Sequence, residues 1–199
     1  MTSPFDRWTD ADVVDLIDRH PFAWLVSCSG GFSATPLPIL VETDGEGRPV
    51  SLLGHFGKSN AQVERIRAEP RTLFLFTGPH AYVSPELLST RDWAPTWNYA
   101  VARITADVVF DEGLNDEALA RLVDRMERGR PEPWSIREMG GRYEQLKRRI
   151  IAFRAPIVSI DPRFKLAQDE RPEVLAEILE GFSGSDLADW TRRFNAERV

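Results

Sequence analysis

Residues 78–99 read GPHAYVSPELLSTRDWAPTWNY, and the rest of the chain is understood from them. Pro79, Pro85 and Pro95 each lack a backbone donor and fix φ, so no ordinary helix runs through this stretch. Tyr82, Trp93, Trp97 and Tyr99 make it too aromatic for a disordered linker. The flanking runs, TLFLFT (72–77) and YAVARITADVVF (99–110), are apolar and strand-like. The expectation is a rigid aromatic loop with polar tips between two strands, which is how pocket walls are usually built.

Moving outward, FAWLVS (22–27) reads as a buried strand and FSATPLPILV (32–41) as a second one. Pro36 and Pro38 lie two apart and so share one side of that strand, which marks it as an edge or a ligand-facing stretch. TDGEGR (43–48) is a hairpin turn into a third strand at 49–54, and IIAFRAPIVSI (150–160) is a late strand followed by a short extended or turn-like FKLAQ (164–168). Helices are expected after Thr9, which precedes Asp10 and Asp12 as a cap, and through 62–67 and from Asn115. A short polar helix is expected at 139–149, and two more run from Pro172 to Gly181 and from Ser185 to about Asn195. Short strands in antiparallel-compatible order, with helices between and after them, argue for a small β-barrel of the α+β class. The regular alternation of a parallel doubly wound sheet is missing. The division expected is a barrel domain over 1–170 and a helical extension packed on it over 171–199.

The bulk properties narrow the function classes. The chain has 199 residues, 42% hydrophobic and 28% charged, enough for one substantial core. A net charge of −6 argues against broad nucleic-acid binding, which needs clustered cations. The single cysteine, Cys28, forbids an intrachain disulfide, suits a reducing compartment, and sits in an apolar run where a small buried residue is expected. The opening MTSPFDRWTDAD is acidic and has no apolar signal-peptide segment, and no run is long enough to span a membrane, so the expected location is cytoplasmic.

Three stretches carry chemistry. In GHFGKSN (54–60), Lys58 supplies charge and Ser59 or Asn60 caps a following helix, which makes a candidate anion site; a capped helix with a solvated lysine accounts for the same residues. The aromatic stretch has the planar surface to stack on a flat ligand, with His80, Tyr82 and Asn98 as polar groups; a buried aromatic cluster is the alternative. In KLAQDE (165–170), Lys165 and Gln168 are donors for the acceptor edge of a heterocycle, or simply surface groups beside a turn. His20, His55 and His80 show no metal spacing, and GxSxG, GxGxxG and the P-loop pattern are all missing. Arg142, Lys147, Arg148 and Arg149 read as a solvated face rather than a DNA contact.

Taken together and in order, PFAWLVS, ATPLP, GHFGKSN, GPHAYVSP, PTWNY and FKLAQDE resemble the PaiB-like family of FMN-binding proteins, often labelled negative transcriptional regulators. The resemblance covers nearly the whole chain. It implies an antiparallel split β-barrel of the flavin-reductase and pyridoxamine-phosphate-oxidase type. It also implies a homodimer with FMN at the subunit interface. By position, Thr35, Pro36, Leu37, His55, Lys58 and Asn60 would line the flavin and its phosphate. His80, Tyr82, Thr96, Trp97 and Asn98 would shape the interface pocket, with Lys165 and Gln168 closing it. Two functions follow from the resemblance: a flavin-dependent oxidoreductase, or a regulator that binds DNA or a partner, which the family label favours and the acidity opposes. Many members carry THLP where this chain has Thr35-Pro36-Leu37-Pro38, and KLSQN where it has Ala167 and Asp169. The acidic residue after KLAQ is shared with piperazate synthases, haem enzymes similar to the same family, so haem is the alternative cofactor, with His55, His80, Tyr82 and Lys58 as candidate ligands. No catalytic residue is assigned, His80 and His55 being the candidates for acid–base work.

Overall fold

A computed structural model describes residues 3–199. Eight strands form one antiparallel system: β1 (Phe22–Ser27), β2 (Ser33–Pro38), β3 (Leu40–Thr43), β4 (Pro49–Gly57), β5 (Arg71–Val83), β6 (Thr96–Asp107), β7 (Val109–Phe110) and β8 (Ile150–Lys165). The helices are α1 (Asp10–Arg19), α2 (Gln62–Ala68), α3 (Asn115–Glu127), α4 (Arg142–Lys147), α5 (Pro172–Gly181) and α6 (Asp186–Phe194). The strand order is β2-β1-β5-β6-β8-β4-β3, with β7 on β8. β2 and β3 are consecutive in the chain yet stand at opposite ends of that order, so the sheet curls until its ends meet, and β2 also touches β4. This is the split barrel expected from the sequence.

The segment 32–41 is therefore not one strand. Its apolar residues run on without a gap, but the chain turns a corner at the buried Ile39 and passes from one edge to the other. β2, with its two prolines, is the edge strand their missing donors called for. β8 differs from expectation in the other direction. It continues through Ile160 to Lys165, pairing with β4 over its first half, from Ile150↔Gly57 to Pro156↔Ser51, and with β6 over its second, from Ile157↔Ala106 to Lys165↔Tyr99. One strand thus belongs to both halves of the barrel.

The stretch 78–99 is also more regular than a loop. β5 and β6 pair to their ends, with His80 opposite Tyr99 and Tyr82 opposite Trp97; only 84–95 leave the hairpin. Gly78 and Pro79 form a bulge between Thr77 and His80. Inside the barrel Leu25, Phe56, Phe74, Phe76, Ile104 and Phe153 are buried. α1 carries Val13, Leu16 and Ile17 into this core and begins with the expected cap, Thr9 and Asp12 bonding each other's backbone N–H groups. α6 begins at a Ser185 cap and inserts Trp190 against Phe164, ring centroids 5.6 Å apart, so its core is continuous with the barrel's. α3 packs on the outside, where Glu42 of β3 and Glu117 of α3 share Arg154 and Arg121. Cys28 is exposed in the turn after β1 rather than buried, because the apolar run ends at Val26 and the strand at Ser27.

Two motif glycines are packing glycines. A Cβ on Gly54 would lie 2.7 Å from Phe153 and 2.8 Å from Ile39, and one on Gly78 would lie 2.4 Å from Leu16 and 3.2 Å from the Ala100 carbonyl oxygen. Gly54→Ala and Gly78→Ala should each cost about 1–3 kcal/mol in urea unfolding; a loss well under that range at both sites would contradict this packing.

Candidate functional site

Strand alternation sorts the expected site residues by face. On β5 and β6 the inward set includes Phe74, Phe76, Ala100 and Ala102, and the outward set includes His80, Tyr82, Trp97 and Tyr99. His80 and Trp97 lie with centroids 6.4 Å apart at an interplanar angle of 29°, and Tyr82 and Trp97 lie 6.0 Å apart. Lys165 pairs with Tyr99 at the edge of this group, and its ammonium donates to the Thr96 hydroxyl. His80, Tyr82, Thr96, Trp97 and Lys165 thus lie beside one another at this end of β5, β6 and β8.

The same face continues across β1 onto β2, where Trp24 stands opposite Pro36 and Phe22 opposite Pro38. Four aromatic side chains there are open: Phe22 at 63%, Trp24 at 51%, Tyr82 at 48% and Trp97 at 53% of full exposure. Phe22 and Trp24 were not singled out from the sequence, because FAWLVS reads as a strand buried on both sides. Its alternation was the available signal: Ala23, Leu25 and Ser27 are buried while Phe22 and Trp24 face out.

The GHFGKSN residues form a second group. His55 shares the β4 face of Leu53, which packs with Ala118, Leu114 and Leu122 of the α3 region. Its Nδ1 is buried without a partner among the described residues, and burial alone pushes its pKa below the ordinary 6.5, so the ring is held neutral. Lys58 follows β4, donates its backbone N–H to the Arg149 carbonyl at 2.8 Å, and pairs its ammonium with Glu112 at 2.7 Å. Glu112 was also missed, since only the fold brings the start of α3 over this turn.

Other expected ligands are committed to the fold itself. Asn60 donates to the Thr35 hydroxyl at 3.0 Å and accepts from Gln62 N–H at 2.8 Å, which staples β2 to the start of α2. Leu37 packs against the barrel core. Gln168 uses both ends of its amide on its own turn, accepting from Leu166 N–H and donating to the Phe164 carbonyl, each at 2.6 Å. Asn98 is on the inward face, 1% exposed, and its Nδ2 has no partner among the described residues. Among the described residues no hydrogen bond, ion pair or ring contact joins the β4 group to the β5–β6 group. No cluster of three metal-ligating side chains exists among them, and no helix there is long and apolar enough to cross a membrane.

The neutral His55 makes stability pH-dependent. Below 6.5 the unfolded chain takes up a proton that folded His55 resists, so this contribution is intact above 6.5 and is lost as pH falls through the folded value. His55→Gln should flatten the loss of unfolding free energy between about pH 7 and about pH 5; an unchanged profile would show the ring protonates freely in the fold.

The comparisons agree with this architecture. The family described as "Putative FMN-binding domain" matches residues 1–159. The chain is 25% identical over 173 residues to "Protease synthase and sporulation protein PAI 2" of Bacillus subtilis (strain 168), covering 85% of this chain and 82% of that one. Among solved structures, a putative 5-nitroimidazole antibiotic resistance protein from Bacteroides thetaiotaomicron superposes with a TM-score of 0.57 at 12% identity, over 79% of this chain and 84% of that one. The flavocytochrome Anf3 from Azotobacter vinelandii superposes with a TM-score of 0.55 at 15% identity, over 79% and 68%. A split barrel with this strand order, matched across most of its length, belongs to the FMN-binding domain family that includes the PaiB-like proteins.

Proposed function

We propose that this chain is a homodimeric FMN-binding protein that acts as a flavin-dependent oxidoreductase, with the flavin held where two copies meet. The open aromatic face carries this reading. Phe22, Trp24, Tyr82 and Trp97 stand exposed on one face of the sheet, the kind of surface that a second subunit or a flat ligand covers. Family membership supplies the flavin.

The residues present fit the group. Trp97 offers an exposed indole for a planar ring, Lys58 a cation for a phosphate, and His55 a buried nitrogen without a partner among the described residues. Glu112 competes with a phosphate for Lys58, so the affinity includes the cost of separating that pair. When bound, the isoalloxazine supplies the electron chemistry. The chain orients it, with Tyr82 and His80 flanking Trp97, and excludes water by burying the sheet face. His55, held neutral, keeps a lone pair or an N–H available at Nδ1 for the ring or its substituents. Because Lys58 follows the β4 end that pairs with Ile150 and Trp97 lies near Tyr99, which pairs with Lys165 at the other end of β8, the proposed site combines Lys58 and His55 of one copy with Trp97 and Tyr82 of the other. The regulator reading is ranked below this one because the net charge of −6 opposes contact with a polyanion.

The purified protein should be yellow, with bands near ~370 and ~450 nm, and a Soret band near ~400 nm would instead mean haem. Protein that takes up neither cofactor would contradict the reading. Trp97→Ala and Lys58→Ala should each weaken FMN by about tenfold or more, the scale of one aromatic stack or one charge-assisted bond. Light scattering should give a dimer of the 22.6 kDa chain; a monomer would remove the interface.

A further inference from the structure

The turn that follows β8 is held by side chains from the far end of the chain. Ala167 adopts φ 64°, a left-handed conformation that costs a residue with a Cβ about 1–2 kcal/mol. Such a turn persists only where its surroundings hold it. Its carbonyls are taken up one by one. Asn195 donates to Leu166 O at 2.8 Å, and Arg198 donates to Ala167 O at 3.3 Å, to Gln168 O at 3.0 Å and to Glu170 O. Arg198 in turn donates to the Asn195 side-chain oxygen at 2.9 Å, and Asn195 donates to Thr191 O at 2.8 Å, which ties both residues to α6. Asn195 is 2% exposed.

Asn195 and Arg198 lie beyond residues 1–159, the stretch that the FMN-binding domain family matches. The turn they hold begins at Lys165, which pairs with Tyr99 and bonds Thr96 beside Trp97. A planar guanidinium reaching three carbonyls fixes their relative positions, which a single ammonium does not do.

We propose that Arg198 and Asn195 are positioning residues: α6 and the residues after it latch the 165–170 turn, hold Lys165 at the edge of the aromatic face, and so set how tightly the flavin is held. The effect on flavin rests on the function proposed above; the latch does not. In the free protein Arg198→Ala should speed amide exchange in residues 166–170 about tenfold or more and leave the β5 and β6 core amides unchanged. With FMN added, the same variant should bind severalfold more weakly and alter the visible circular dichroism of the flavin, while the unfolding midpoint barely moves. Arg198→Lys should recover only part of the protection. Unchanged exchange in the turn would overturn the latch. Faster exchange with unchanged FMN affinity would overturn its link to the site. A wild-type protein that takes up no FMN would sink the flavin reading, and the exchange result would still decide the latch.

Discussion

Period-two alternation along β5 and β6 sends every second side chain out of the barrel, and most of the site depends on that constraint. The inward set is mostly apolar and pairs small with large, with Ala102 opposite Phe76 and Ile104 opposite Phe74, so the interior closes tightly. The outward set then has no freedom: Tyr82, Trp97, His80 and Tyr99 must stand on one surface, and the neighbouring β1 adds Phe22 and Trp24 to it. A register slip of one residue would bury Trp97 and expose Asn98, so the face is as strongly specified as the core.

The motifs do more packing than a list of candidate ligands suggests. Gly54 and Gly78 are needed because Phe153, Ile39 and Leu16 occupy the space a Cβ would take. Asn60 joins β2, through Thr35, to the start of α2, and Gln168 closes its own turn. What remains free to meet a ligand is narrower: the aromatic face, the Lys58–Glu112 pair and the imidazole of His55.

Much of this was legible in the sequence where a residue carries its own constraint. Pro36 and Pro38 announced an edge strand because proline cannot donate to a neighbour, and Thr9 and Ser185 announced helix starts through their hydroxyls. The six motif stretches, read in order, carried the split barrel and the family. The sequence was opaque where the outcome depends on distant partners. The corner at Ile39 has no break in hydrophobicity to mark it, and three prolines made a long hairpin look like a loop. β8 looked like a strand and a separate turn because Asp161 and Pro162 interrupt the apolar run, yet the strand continues through them in register with Arg103 and Ala102. The pairings of Glu112 with Lys58 and of Arg198 with the 165–170 turn span tens of residues, and no local pattern encodes them.

The central claim is that one flavin site takes Lys58 from one copy and Trp97 from the other. The direct measurement is FMN titration of a mixture in which Lys58→Ala and Trp97→Ala subunits are unfolded together and refolded. Mixed dimers would carry one site with both substitutions and one with neither. The account predicts that the mixture regains a fraction of wild-type, high-affinity sites that neither variant shows alone. If the mixture binds no better than the two variants measured separately, both residues serve the same chain's site and the account is wrong.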